Sequence, residues 1–256
     1  MNKSVVVVGL GELGSVFARG CLKLGYSVTP VTRHNSMAEM VNQVNPEAVI
    51  MAVGEADIHT LLGEVPDAWQ DRLVLIQNEL LPRDWQAHSI ENPTVISVWF
   101  EKKKGMDSKV VMPSPIYGPK ARLVFDALAQ LDLPSYIVDS TDELEYELVR
   151  KNLYILTTNI AGLEVGGNVQ QLETQHPDLM QAVANDVLDI QDWLTHQKQD
   201  RKRLMQGLTE AFAGDPEHKC MGRSAPARLA RALGFASEAG IKAEQLNALA
   251  KAHLNE

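Results

Sequence analysis

The sequence predicts an α/β fold in two parts: a doubly wound parallel sheet over residues 1–140, then an all-helical region over 141–256. Three observations carry this. Short β-branched runs alternate with amphipathic stretches through the first half, which is the pattern of a parallel sheet covered by helices. Glycines stand at a regular spacing directly after the first apolar run. Beyond Ser140 hardly a strand-like run remains.

In order, residues 4–8 form the first strand. Leu13, Val16, Phe17 and Cys21 then recur at helical spacing, and Gly25 is placed to end that helix in a left-handed turn. Residues 27–32 are the second strand. Further strands are expected at 48–53, 73–77, 95–100 and 110–112, with helices near 37–44 and 57–62. Pro113, Pro115, Gly118 and Pro119 mark a loop. Residues 120–131 are helical and 135–138 form a last strand. The second part reads as helices at 142–166, 178–196, 201–212, 225–239 and 244–253.

Composition narrows the class of function. The chain has 24 Lys and Arg against 33 Asp and Glu, a net charge of −9, which argues against a nucleic-acid partner because phosphate contacts need clustered cations. The block Glu101-Lys102-Lys103-Lys104 is most simply a solvated loop. The two cysteines, Cys21 and Cys220, have no metal-like spacing, so neither a disulfide framework nor a metal site is expected. No apolar run reaches the length of a membrane span, and the run at 5–8 is too short for a signal-peptide core. The cytoplasm is the expected compartment.

The glycines belong to Gly9-Leu10-Gly11-Glu12-Leu13-Gly14, between a valine-rich strand and an amphipathic helix. In that context each glycine has a task in dinucleotide binding. The first makes the tight turn, the second lets backbone approach the pyrophosphate, and the third lets helix pack on strand. This is the Rossmann signature. The end of the second strand selects the cofactor, since NAD binders place an acid there for the ribose hydroxyl and NADP binders often an arginine for the 2′-phosphate. Here the residues are Thr32-Arg33-His34-Asn35, with no acid. A guanidinium, a hydroxyl and an amide suit a phosphate dianion, so NADP is expected. A solvent-facing arginine is the plainer alternative.

Two places set polar residues where the pattern calls for core. Gln77-Asn78 ends the fourth strand at the carboxyl edge of the sheet, where ligands of doubly wound folds bind, although Asn78 suits an ordinary turn equally well. On the helix at 142–166, Lys151, Tyr154 and Thr158 make a polar stripe with Asn159 beside it, fit either to line a cleft or to face solvent. Glu145, Glu147 and Glu164 on the same helix are expected at the surface. His176 and His218 have no visible partner, and the four tryptophans read as packing residues.

With these residues in view, the chain resembles the ketopantoate reductase family of NADP-dependent 2-oxo acid reductases. The matches are the glycine turn from Gly9 to Gly14, Arg33, the Gln77-Asn78 pair, the Gly118-Pro119 step, the Lys151 to Asn159 spacing and Gly240-Ile241 as a late turn. The resemblance implies a Rossmann domain at 1–140 that binds NADP. It also implies a helical domain of the 6-phosphogluconate dehydrogenase kind at 141–256 for substrate and dimerisation. The implied reaction is hydride transfer to a 2-oxo acid, with Lys151 as proton donor and Asn78 and Asn159 holding the reacting groups. An unperturbed lysine titrates near about 10.4, so burial would have to lower it for such a role.

The departures are equally specific. Ile155 stands where the family has its first asparagine, no lysine follows the third strand at Ala52-Val53-Gly54-Glu55, and the late glutamate falls near Ser224. The segment between Arg33 and Ala48 is short. Groups that would grip ketopantoate are lost while the nucleotide groups remain. That leaves a different carbonyl or imine as substrate, a catalytically silent NADP-binding protein, or a reductase of the prephenate, opine or pyrroline-carboxylate type. A homodimer is left open.

Overall fold

A computed structural model describes residues 3–254 of the chain. It divides into two compact units, the first ending at Leu148 and the second beginning at Val149.

The first unit is built on β1 (Ser4–Val8), β2 (Ser27–Val31), β3 (Ala48–Met51), β4 (Leu73–Leu75) and β5 (Thr94–Ile96), which pair in parallel in the order β2-β1-β3-β4-β5. Val5 to Val8 and all four residues of β3 are buried, as expected of strands covered on both faces. Helix α1 (Glu12–Lys23) connects β1 to β2. Short helices α2 (Met37–Met40) and α3 (Ile58–Gly63) follow β2 and β3, and a 3-10 turn (Asp67–Arg72) leads into β4. Helix α2 is half the expected length. Ser36 and Glu39 close its start as a reciprocal capping box, with Ser36 N–H donating to the Glu39 carboxylate at 2.7 Å.

Because the segment after Arg33 is short, β2 is the edge strand. Its edge is blunted by two residues. Pro30 has no N–H to offer a further strand, and the Asn35 side-chain amide donates to the Pro30 carbonyl at 3.0 Å.

The far side of the sheet departs from an all-parallel pattern. After β5 and α4 (Pro82–Gln86) upstream of it, the chain runs through a separate two-stranded ribbon, β6 (Phe100–Glu101) and β7 (Lys109–Val110). It then returns as β8 (Ser114–Tyr117), antiparallel to β5. A parallel return needs a long crossover, normally a helix; a hairpin in that place reverses the strand. The expected single strand at 95–100 is thus cut at Ile96, and of the strand expected at 110–112 only Val110 belongs to the ribbon. The sheet strand lies in the proline-rich stretch expected to be a loop. Pro115 fits there because its carbonyl accepts the Ser97 N–H at 3.1 Å. Helix α5 (Ala121–Ala129) leads to β9 (Ser135–Ile137), parallel to β8.

Helix α6 (Thr141–Val165) spans the boundary between the units. The second unit continues with α7 (Val169–Gln175), α8 (Pro177–Thr195), α9 (Arg201–Gly214), α10 (Ala225–Ala239) and α11 (Glu244–His253). Helix α7 has an Asn168–Gln171 capping box and lies outside the helices expected from the pattern. From Asn152 to Gly162 every residue of α6 is buried. The polar stripe is therefore neither a solvated face nor an open lining at Tyr154 and Thr158, and polar neighbours of the stripe on α6 also bond inside the protein. Asn152 donates to Gln191 of α8 at 3.0 Å, and Arg150 donates to the Gly207 carbonyl and to Glu210 of α9 at 3.0 Å.

Candidate cofactor site and catalytic residues

The turn between β1 and α1 is shaped by its glycines. Gly9 adopts φ +88°, and a Cβ there would lie 2.6 Å from the Ala52 carbonyl oxygen. A Cβ on Gly14 would lie 2.0 Å from the Gly9 carbonyl, so only glycine lets the helix come this close to the turn. Gly11 is different: among the described residues, nothing beyond its own chain neighbours lies within 4 Å of a Cβ built there. It is the N-cap of α1, extended, and no side chain caps the helix. The first amides of α1 are thus left for a ligand, at the end of the helix that carries its partial positive charge. Leu10 is 44% exposed, and Leu13 packs against the core.

Beside the turn is a cavity of about 1010 Å³ lined by Gly9, Gly11, Arg33, His34, Val53 and Asp57 among others. Its shape and its donors fit a dinucleotide: an open glycine backbone, unsatisfied helix amides and a cation at the rim. Arg33 and His34 are exposed, and their side chains make no hydrogen bond with the described residues. Asn35 does not share that freedom. Its Oδ1 accepts from Thr32 N–H at 2.8 Å and its amide donates to Pro30, so it pins the loop on which Arg33 and His34 stand. The amide expected to serve a phosphate is used by the backbone.

At the carboxyl edge of β4, Gln77 is buried and spans two strands. It donates to Met51 of β3 at 2.5 Å and accepts from Ile76 N–H at 3.1 Å. Asn78 is half-buried and donates to Glu55 at 3.5 Å, at the position where the resemblance led to a lysine. Glu55 gave no sequence signal, because a lone acid after a Gly in a loop is commonplace.

In the second unit Lys151 is half-buried, with Nζ 5.7 Å from the centre of the Tyr154 ring. Asn159 is fully engaged: its amide donates to the Cys220 carbonyl at 3.0 Å and its Oδ1 accepts from Arg228 at 2.8 Å. Arg228 was invisible in the sequence, being one of two arginines on an ordinary amphipathic helix. Ile155 is buried. Thr158 donates back to the Tyr154 carbonyl at 2.8 Å.

Other expectations are corrected by burial. Glu147 is buried rather than at the surface and accepts from the Tyr136 hydroxyl at 3.1 Å. His218, which showed no partner in the sequence, has Nδ1 3.5 Å from Asp215. Burial pushes the Cys21 thiol up to about 12 and that of Cys220 up to about 11, so neither is a ready nucleophile. Among the described residues no group of three His, Cys, Asp or Glu side chains is placed to hold a metal, and no helix is long and apolar enough to cross a membrane.

No protein-family model and no curated protein matches the sequence. Solved structures do match along the whole chain. A probable 2-dehydropantoate 2-reductase from Bacillus subtilis superposes with a TM-score of 0.69 at 15% identity, over 98% of this chain and 99% of its own. A D-mandelate dehydrogenase solved with NADH and anilino(oxo)acetate gives 0.64 at 13% identity, over 97% of this chain and 96% of its own. A dimeric ketopantoate reductase from Staphylococcus aureus gives 0.62 at 15%, over 96% and 95%. The chain therefore has the fold of the 2-dehydropantoate 2-reductases.

Proposed function

We propose that this chain is a nicotinamide-dependent oxidoreductase that uses NADP to reduce a 2-oxo acid or related carbonyl. The observation that carries the reading is Gly11: an uncapped helix start, open to a large cavity whose rim bears Arg33. The fold neighbours, which include reductases of 2-oxo acids, support the same chemistry. Bound there, the cofactor supplies hydride. The amides at Glu12, Leu13 and Gly14 hold its diphosphate, Arg33 takes the 2′-phosphate, and Asn78 hydrogen-bonds the nicotinamide ribose. Lys151 gives a proton to the carbonyl oxygen as the carbonyl carbon takes up hydride, and Asn159 acts as a positioning residue that fixes α6 against Arg228. On this reading the first unit binds NADP, the helical unit serves substrate and homodimerisation, and the protein works in the cytoplasm.

Glu55 on Asn78, together with buried Ile155, supports a related carbonyl over ketopantoate itself as the substrate. The test is NADPH oxidation against a panel of 2-oxo acids and imines. With the responsive substrate, Lys151→Ala lowers turnover by about 10²-fold or more while NADPH binding is kept; undiminished oxidation contradicts the assignment. The engaged amide of Asn159 favours a second reading, a silent NADP-binding protein, which predicts tight NADPH binding and no oxidation across that panel.

A further inference from the structure

Between β6 and β7 the chain turns through residues 102–108, and one ammonium organises that turn. Lys102 Nζ donates to the carbonyls of Lys103, at 3.0 Å, and Met106, and lies 3.7 Å from Glu12 Oε2. Two carbonyl bonds hold the ammonium in place and the carboxylate pairs with it at ion-pair distance, so it is a tethered cation and not a free arm. Its side chain is also the less exposed of the pair, 23% against 45% for Glu12.

Glu12 is the first residue of α1, at the end of the helix that has no side-chain cap. A carboxylate there is attracted by the same partial charge and the same amides that attract a phosphate. Left to itself it competes with an anionic ligand and repels it. An acid inside a dinucleotide turn thus needs a counter-ion, and the β6–β7 ribbon delivers one.

We propose that Lys102 is a positioning residue for the cofactor: it holds and neutralises Glu12, so that the first amides of α1 stay open to a diphosphate. The inference rests on the nucleotide reading above and extends it to a residue outside the glycine turn. It also makes the β6–β7 ribbon part of the binding machinery.

A double-mutant cycle in the full chain tests it, with Glu12→Gln, Lys102→Met and both together. The readouts are NADPH affinity by fluorescence, ADP affinity by calorimetry, and ligand-free thermal unfolding. At low ionic strength Lys102→Met is expected to weaken NADPH and ADP by about twofold to fivefold, the size of a charge effect at a helix end. Glu12→Gln should bind at least as tightly as the parent, and the double variant should match Glu12→Gln. Added salt should shrink the Lys102→Met effect.

A loss that persists in the double variant would make Lys102 a direct ligand and overturn the counter-ion role. So would unchanged affinity in Lys102→Met. If the ribbon comes apart in Lys102→Met, its unfolding temperature falls, and Glu12→Gln, which keeps the ribbon's bonds, decides: weaker binding there contradicts the proposal. A parent protein that binds neither NADPH nor ADP would instead overturn the nucleotide reading itself.

Discussion

The turn at β1–α1 and the buried middle of α6 both place polar groups beside an apolar core, but they treat them in opposite ways. At the turn the helix has no side-chain cap, and Arg33 and His34 make no side-chain hydrogen bond with the described residues. In α6 the side chains of Asn152, Thr158 and Asn159 are bonded to Gln191, to the Tyr154 backbone, and to Cys220 and Arg228. The difference separates two uses of polar groups. Those at the turn are open to solvent and are the ones proposed to meet a ligand, whereas those on α6 are structural ties whose partners the protein supplies.

The sharpest way to break this comparison is inside α6, between Lys151 and Asn159. Lys151→Ala should lower kcat by about 10²- to 10⁴-fold, the usual contribution of a general acid, with little change in unfolding temperature. Asn159→Ala should act mainly on stability, at a cost of about 1–3 kcal/mol, because it removes the bond from Arg228 and leaves the Cys220 carbonyl without this donor. Equal effects of both variants on stability and turnover would erase the distinction between site and tie.

The glycines offer the same contrast within one loop. Gly14→Ala puts a methyl 2.0 Å from the Gly9 carbonyl and should destabilise the first unit by about 1–3 kcal/mol or more, as overpacking does. Gly11→Ala meets nothing within 4 Å among the described residues beyond its chain neighbours, so its unfolding temperature should stay near that of the parent while NADPH binding weakens. Thermal melts with and without NADPH separate the two. A Gly11→Ala protein that binds normally would mean the ligand does not approach this backbone.

How much of this was readable in the sequence follows from the same physics. The turn from Gly9 to Gly14 was legible because backbone conformation and close approach are written in residue type: where no Cβ fits, only glycine serves. The run Val5 to Val8 was legible because a strand buried on both faces is apolar throughout. Strand β8 was not, since Pro113 and Pro115 read as loop formers and their tolerance depends on which carbonyls and N–H groups the neighbouring strands need. The bonds of Asn35 and Asn159 were also hidden. Each looks like a ligand donor until its partner, three residues away in one case and 69 in the other, is known.

The smallest predicted effects lie in the second unit and concern pH. Burial alone would raise the Asp192 carboxyl, but the Gln199 N–H, Lys198 and Arg201 outweigh it and hold the group below its usual range. A carboxylate whose folded pKa is depressed adds stability above the unfolded value of about 3.9, and that contribution is lost as pH falls through the folded one. Asp186 is the opposite: burial raises it in spite of the Leu246 and Gln245 N–H groups, so its ionisation works against the fold. Asp192→Asn should therefore lower the unfolding temperature at neutral pH and flatten its fall in acid. Asp186→Asn should do less at neutral pH.

The central claim is that the cavity at Gly11 and Arg33 takes a phosphate-bearing dinucleotide. It is tested most directly by titrating the parent protein with NADPH and with NADH. NADPH is expected to bind at least about tenfold more tightly, a difference of about 1.4 kcal/mol, and Arg33→Ala to remove the difference by weakening NADPH alone. Equal affinities, or a preference for NADH, would contradict it.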